Sequence, residues 1–253
     1  MAEYRDIVIA GGGMVGASLA LQLAAVLPED LGICLVEGFP FPEAVPGHRP
    51  DYHPAFDARS TALSYSSNLI YERLGIWGDL SEWLCPIESI HVSSRGRFGS
   101  TLMQASEHDW PALGYVVENA WLGNALVQAL HRQERVELRS PCKVTRVEPA
   151  GERVRLQLSG DAGGELEAAL LVVADGAGSG LRESLGVKVD EKSYRQHAIV
   201  ANVATAQPHK GCAFERFTDQ GPVALLPLLG VAGAENRSAL VWTLGPAEAA
   251  RLQ

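Results

Sequence analysis

The feature that most constrains this chain is a run of six residues near its start, Gly11-Gly12-Gly13-Met14-Val15-Gly16. It joins an apolar, β-branched run, Ile7-Val8-Ile9-Ala10, to an Ala- and Leu-rich stretch from Met14 to Leu27. The first reads as a strand buried on both faces, the second as a helix. Pro28-Glu29-Asp30 ends the helix, and Ile33-Cys34-Leu35-Val36 is a second apolar strand that runs into Glu37. Strand, glycine turn, helix and strand within about 32 residues make a βαβ unit.

At this spacing each glycine has its own task. Gly11 permits the sharp turn, Gly13 lets a pyrophosphate approach bare backbone, and Gly16 lets the helix pack closely on the strand. Met14 and Val15 open the helix, where unpaired N–H groups and the positive dipole end favour phosphate. Glu37 ends the second strand and can accept hydrogen bonds from ribose hydroxyls; its charge disfavours a 2′-phosphate. A ligand-free glycine turn is the alternative reading, and the flanking strand, helix and acidic residue argue against it. The uncharged run Ile7 to Leu27 is not read as a membrane span, because Gly11, Gly12 and Gly13 interrupt it. It lacks the basic region and cleavage site of a signal peptide.

Two further motifs follow. The run Leu170-Leu171-Val172-Val173-Ala174 leads into Asp175-Gly176, with Ser179 and Arg182 after it. So apolar a strand belongs at the centre of a parallel sheet, and a carboxylate at its carboxyl end lies in the ligand crevice. An Asp-Gly turn with a capping Ser179 and a solvated Arg182 explains the same residues. In Asp57-Ala58-Arg59-Ser60-Thr61-Ala62-Leu63, Arg59 can reach a phosphate, or pair with Asp57 at the surface.

Elsewhere the patterns are coarser. Phe39 to Pro54 carries Pro40, Pro42, Pro46 and Pro50 and reads as a long surface loop. Arg59 to Leu74 and Ala120 to Arg132 read as helices, and Ile87 to Ser93 as a strand. Strands are expected over Val136–Leu138, Lys143–Val147, Val154–Leu158 and Leu166–Val173, with a glycine-rich hairpin turn at 160–164. From Tyr194 onward short β runs alternate with turns, as a mostly antiparallel sheet requires. The fold class is α/β: a Rossmann-like domain over 1–185 with part of a second sheet inserted around 75–115, and a substrate-binding sheet over 186–253.

Composition narrows the chemistry. Hydrophobic residues make up 47% and charged ones 20%, enough to bury a core, which argues against disorder. The formal charge of −9 leaves no basic footprint for nucleic acid or anionic lipid. Cys34, Cys85, Cys142 and Cys212 form no CxxC pair and read as free thiols in a reducing cytoplasm. No metal set and no GxSxG elbow stands out. A histidine of the His48/His53 loop is weighed as a catalytic base, but no catalytic residue is assigned.

Taken in order, the three motifs resemble the para-hydroxybenzoate hydroxylase-like group of flavoprotein monooxygenases, which combines an N-terminal GxGxxG, a mid-chain DG and a later GD. Within it, Ala58–Leu63, Gly114-Tyr115-Val116-Val117-Glu118-Asn119, Ala201-Asn202-Val203, Phe214–Thr218 and Gly221–Pro227 are similar to the aromatic-ring hydroxylases of ubiquinone biosynthesis, most of all the 2-octaprenyl-6-methoxyphenol hydroxylases. The resemblance implies FAD on Gly11, Gly13, Met14, Val15, Gly16, Glu37, Arg59, Asp175 and Gly176, with Glu118 or Asn119 facing the flavin. It implies NADH or NADPH as reductant and hydroxylation of a prenylated phenol through a flavin C4a-hydroperoxide. It also implies other ubiquinone-biosynthesis enzymes as partners, and a cytoplasmic protein with peripheral contact at the inner membrane. An isoprenoid reductase and a non-catalytic nucleotide-binding module are the competing readings. No later GD motif follows Asp175. The expectation is therefore a substrate domain incomplete at the C-terminus and weak FAD retention by this chain.

Overall fold

The structure, a computed structural model, describes residues 3–43, 45–48, 52–160 and 163–252. In chain order the strands are β1 (Glu3–Ala10), β2 (Ile33–Val36), β3 (Ser60–Ser64), β4 (Cys85–Ile87), β5 (Ser89–Ser94), β6 (Ser100–Gln104), β7 (Gly114–Glu118) and β8 (Val136–Arg139). β9 (Cys142–Ala150), β10 (Arg153–Gly160), β11 (Gly164–Val173), β12 (His197–Ala204), β13 (Cys212–Thr218), β14 (Gly221–Leu228) and β15 (Arg237–Leu244) follow. The helices are α1 (Met14–Val26), α2 (Tyr65–Arg73), α3 (Trp77–Leu80), α4 (Asn119–Arg132), α5 (Gly180–Ser184) and α6 (Pro246–Leu252). The chain divides into two compact units, Met1–Asp57 with Ala120–Asp190 and Ala58–Asn119 with Glu191–Gln253.

The first unit holds a six-stranded sheet in the order β8-β2-β1-β11-β10-β9. Its four leading strands are parallel, and β10 and β9 continue it antiparallel. Val8, Ile9, Cys34 and Leu35 are fully buried, as near-continuous apolar runs dictate for strands covered on both faces. Each buried Leu, Ile or Val contributes about 1.5–3 kcal/mol by leaving water. α1 turns Ala17, Ala20, Leu21 and Ala24 inward, a stripe of mostly small residues at helical spacing. The uncharged run from Ile7 to Leu27 is thus strand, turn and helix. No helix among the described residues is long and apolar enough to cross a membrane. β11 does return to the sheet centre: Leu170 pairs with Ile7 and Val173 with Ala10. Pro50 of the proline-rich loop and Asp161 and Ala162 of the hairpin turn lie outside the described residues.

The second unit carries a six-stranded, mostly antiparallel sheet, β12-β15-β14-β13-β5-β6, and a three-stranded sheet, β3-β7-β4. Its core sets Ala213, Leu228 and Ala239 against Ile87 and Val116. One expectation fails here. Arg59 to Leu74 is not helical throughout: Ser60–Ser64 is a strand paired with Gly114–Glu118, and the helix begins only at Tyr65. Pairing with β7 satisfies the backbone of residues whose local pattern is compatible with a helix. Ser64 then starts α2, its Oγ accepting from the Ser67 N–H at 3.2 Å.

Candidate functional site

Strand register assembles the site. Ala10 pairs with Val36 on one side and with Val173 on the other. The N–H of Gly11 donates to the Val36 carbonyl (2.8 Å), and that of Ala174 to the Ala10 carbonyl (2.7 Å). Gly11 and Glu37 therefore follow directly on β1 and β2, and Asp175 comes two residues past the end of β11, all at the carboxyl ends of neighbouring parallel strands. The chain leaves β1 toward β2 on one side and comes back as β11 on the other, so this is a topological switch point, where open α/β sheets bind ligands.

The turn itself is built by close approach. Gly11 has φ +109°, and a Cβ there would overlap the Ala174 carbonyl. A Cβ on Gly16 would overlap the carbonyl oxygen of Gly11, which fixes how tightly α1 starts against the turn. Gly13 differs: a side chain there meets only the Ala55 Cβ, at 3.4 Å. Gly13 is also the N-cap of α1, with extended backbone, no side-chain cap and no acidic residue in the first helical turn. Val15 is 73% exposed. The start of α1 thus presents backbone N–H groups and a positive dipole end beside a position free of side chain.

Glu37 faces this turn and is buried. Its Oε2 accepts from the Gly12 N–H at 2.6 Å and its Oε1 from the Phe39 N–H at 2.8 Å. Each carboxylate oxygen has a second lone pair, so the group still has capacity for a ribose hydroxyl. A cavity of about 580 Å³ opens here, lined among others by Gly11, Glu37, Phe39, Lys143, Thr145 and Asp175. Phe39, Lys143 and Thr145 escaped the sequence reading. Lys143 stands 5.3 Å from the Phe39 ring centroid, a pairing that no local pattern announces.

The remaining sites are mixed. Asp175 and Gly176 are exposed; Asp175 lines the cavity, and Gly176 follows at φ +94°. The structural reading of the neighbouring residues also holds: Ser179 Oγ accepts from the Arg182 N–H at 3.0 Å and caps α5, while the Arg182 guanidinium donates to the Ala177 carbonyl at 2.8 Å. Arg59 belongs to the second unit, exposed just ahead of β3, its carbonyl accepting from the Asn119 N–H at 2.8 Å. Glu118 is engaged with Arg237 in a largely buried ion pair at 2.5 Å. The Asn119 amide oxygen accepts from the Thr61 hydroxyl at 2.7 Å. In β14, Leu226 and Leu228 pack into the core of the second unit, the plain packing reading of that strand. His53 is 1% exposed among aromatic rings, which rules it out as a solvent-facing base in this state.

With this geometry in place, the comparisons with known proteins are specific. No family model matches the chain. Solved monooxygenase structures share the fold. p-Nitrophenol 4-monooxygenase PnpA from Pseudomonas putida matches with a TM-score of 0.76 at 19% identity, over 99% of this chain and 61% of that one. PqsL, described as a probable FAD-dependent monooxygenase from Pseudomonas aeruginosa, matches with 0.77 at 18%, over 99% and 63%.

Sequence relatives are more particular. The chain is similar to ubiquinone hydroxylase UbiL of Rhodospirillum rubrum (34% identity, 95% of this chain, 52% of the relative). It is also similar to 3-demethoxyubiquinol 3-hydroxylase of Escherichia coli (31%, 99% and 60%). A mitochondrial relative is the ubiquinone biosynthesis monooxygenase COQ6 of Homo sapiens (27%, 98% and 52%). The likeness to ubiquinone-biosynthesis hydroxylases that the motifs suggest is thus found along nearly the whole chain. The chain spans roughly half to three-fifths of the length of these relatives.

Proposed function

We propose that the first unit binds FAD and that the protein of which this chain forms the whole or a part is an aromatic-ring hydroxylase acting on a prenylated phenol in ubiquinone biosynthesis. One observation carries the reading: α1 begins uncapped at Gly13 while the buried Glu37 carboxylate sits hydrogen-bonded to the same turn. The backbone of Gly11, Gly13, Met14, Val15 and Gly16 would receive the diphosphate, and Glu37 the adjoining ribose. Asp175 and Gly176 would border the cofactor along the same crevice, and Arg59 is proposed as a further flavin-contacting residue.

Bound FAD would supply the redox chemistry, taking electrons from NADH or NADPH and passing them to O₂ for hydroxylation. The chain's own residues bind, orient and exclude water; nothing in this reading asks them for a strong acid or base. The second unit, by this reading, forms the apolar substrate wall. A polyprenyl substrate lives in the bilayer, so work at the cytoplasmic surface of the inner membrane, beside other enzymes of the pathway, is part of the proposal. The names of the relatives support hydroxylation over isoprenoid reduction.

The test is titration with FAD and with ADP, followed by flavin fluorescence and calorimetry. Saturable binding of both is expected, with Glu37→Ala about tenfold weaker, the loss of a charge-assisted hydrogen bond. Absence of saturable binding to either ligand would refute the reading. NAD(P)H oxidation stimulated by a prenylated phenol then separates hydroxylase from reductase.

A further inference from the structure

The histidine buried beside the glycine turn carries an inference of its own. His53 lies in the first unit, 1% exposed. Its ring stacks on Phe56 with centroids 4.9 Å apart and on Phe41 at 6.1 Å, and meets Phe39 edge-on at 6.0 Å. Phe56 in turn packs against α4 where Gly123 has no side chain. The next residue, Asn124, donates through Nδ2 to the carbonyls of Val45 and His48, both at 3.2 Å. So α4 holds the segment from outside while the histidine ring holds it from within.

The protonation state of that ring is fixed by geometry. Nδ1 accepts from the Ala55 N–H at 3.2 Å. A backbone N–H only donates, so Nδ1 is bare and the single ring proton is on Nε2. Nε2 is itself buried and makes no hydrogen bond among the described residues. An unmet buried donor costs about 1–3 kcal/mol, a cost the aromatic stacking offsets here.

The same residues touch the turn. A Cβ placed on Gly12 would strike the Phe41 ring and the Glu37 side chain, and one on Gly13 would stand 3.4 Å from the Ala55 Cβ. Phe41 and Ala55, which abut Gly12 and Gly13, are among the residues the histidine ring stacks on and hydrogen-bonds to.

We propose that His53 is a positioning residue for the glycine turn, and that protonating its ring frees Phe41 and Ala55 from that turn and lowers dinucleotide affinity at acid pH. A second proton can enter only at Nδ1, where it faces the Ala55 N–H, donor against donor. Among the described residues the resulting cation would face three phenylalanine rings and no hydrogen-bonded acid. Burial holds the ring's pKa below the ordinary histidine value, and the field of Glu37 opposes this in part. The Glu37 oxygens accept from Gly12 and Phe39, and among the described residues neither is hydrogen-bonded to the ring. Lys143 lies over the neighbouring Phe39 ring, and Asp57 follows four residues on along the same segment. α4 offers the uncharged Gly123 and Asn124, and α1 has no acidic residue in its first turn.

The sign follows from linkage. A histidine with a depressed folded-state pKa binds fewer protons folded than unfolded. Its stabilising effect is complete above the ordinary value near 6.5 and is lost as pH falls through the lower, folded-state value.

The inference rests on the dinucleotide reading for its ligand, so the experiment has two arms. In the first, without ligand, amide hydrogen exchange is followed between about pH 7.5 and 5, as protection factors, for Gly12, Gly13 and Ala55. Protection should fall on acidification in the wild type and stay level in His53→Phe, which stacks but cannot titrate. His53→Asn, which keeps an acceptor for the Ala55 N–H, should also stay level and serves if the Phe variant does not fold. In the second arm, ADP affinity should drop about tenfold or more over the same range in the wild type and stay within about twofold in the variants. Equal pH dependence in wild type and variants, or none in the wild type, would overturn the role of His53. Failure of ADP to bind at any pH would strike at the dinucleotide reading, while the exchange arm would still decide the histidine's.

Discussion

Two kinds of helix start occur in this chain. α2 and α5 begin with a serine whose hydroxyl accepts from the N–H three residues on, Ser64 to Ser67 at 3.2 Å and Ser179 to Arg182 at 3.0 Å. α1, the longest of the three, begins with Gly13 and no side-chain cap. A serine or aspartate at that position would be worth only a few tenths of a kcal/mol over glycine, so stability barely distinguishes the two choices. The difference lies in what surrounds each start. Around α1 the sequence places a strained turn at Gly11, a tight approach at Gly16 and a buried carboxylate at Glu37, all specialised features. The closed starts of α2 and α5 serve the fold; that of α3 at Ile76 is also uncapped but lacks these surroundings, and the α1 start is the one proposed to receive an anion.

The comparison breaks most sharply if the open start is closed. Gly13→Asp should abolish dinucleotide binding, by about a hundredfold or more, because a carboxylate then occupies and repels the diphosphate position. Its urea-unfolding free energy should stay within about 0.5 kcal/mol of wild type, since Asp is a good N-cap. Retained affinity in calorimetry would show that the open start is incidental. Glu37→Gln comes next. Its amide nitrogen would put a donor against the Gly12 or Phe39 N–H, so affinity should fall about tenfold and stability by about 1–3 kcal/mol, read by titration and urea melts.

The closed starts should respond in the opposite way. Ser179→Ala should cost about 1 kcal/mol in thermal or urea unfolding and leave ADP affinity unchanged. Ser64→Ala, at an exposed cap shared with the Ser66 and Ser67 hydroxyls, should cost about 0.5 kcal/mol, again without effect on binding. A loss of nucleotide affinity in either serine variant would erase the distinction between the two kinds of helix start.

Local chemistry explains how much of this was legible beforehand. The βαβ unit could be read because its strands are uniformly apolar and its turn needs glycines at fixed places. The return of β11 to the sheet centre could be read from Leu170–Ala174 for the same reason. Ser60–Ser64 was misread as helix because its strand state depends on pairing with Gly114–Glu118, fifty-odd residues away in the chain. The cavity wall at Lys143 and Thr145 has no local signal because it is set by the antiparallel pairing of β9 with β10, which itself pairs with β11. His53 stands out for its chemistry, but its cage joins Phe39 and Phe41 to Phe56, residues well apart along a proline-rich stretch, so no local pattern announces it. Ser179 shows that a motif residue can serve the fold while its neighbours Asp175 and Gly176 border the site.

The most direct measurement is a nitrogen-15 NMR titration of the chain with ADP. Saturable shifts should be centred on the amides of Gly12, Gly13, Met14, Val15 and Gly16, with a weaker response at Glu37, and should vanish in Gly13→Asp. Shifts confined to another surface, or a pattern unchanged by Gly13→Asp, would contradict the assignment of the uncapped α1 start as the dinucleotide site.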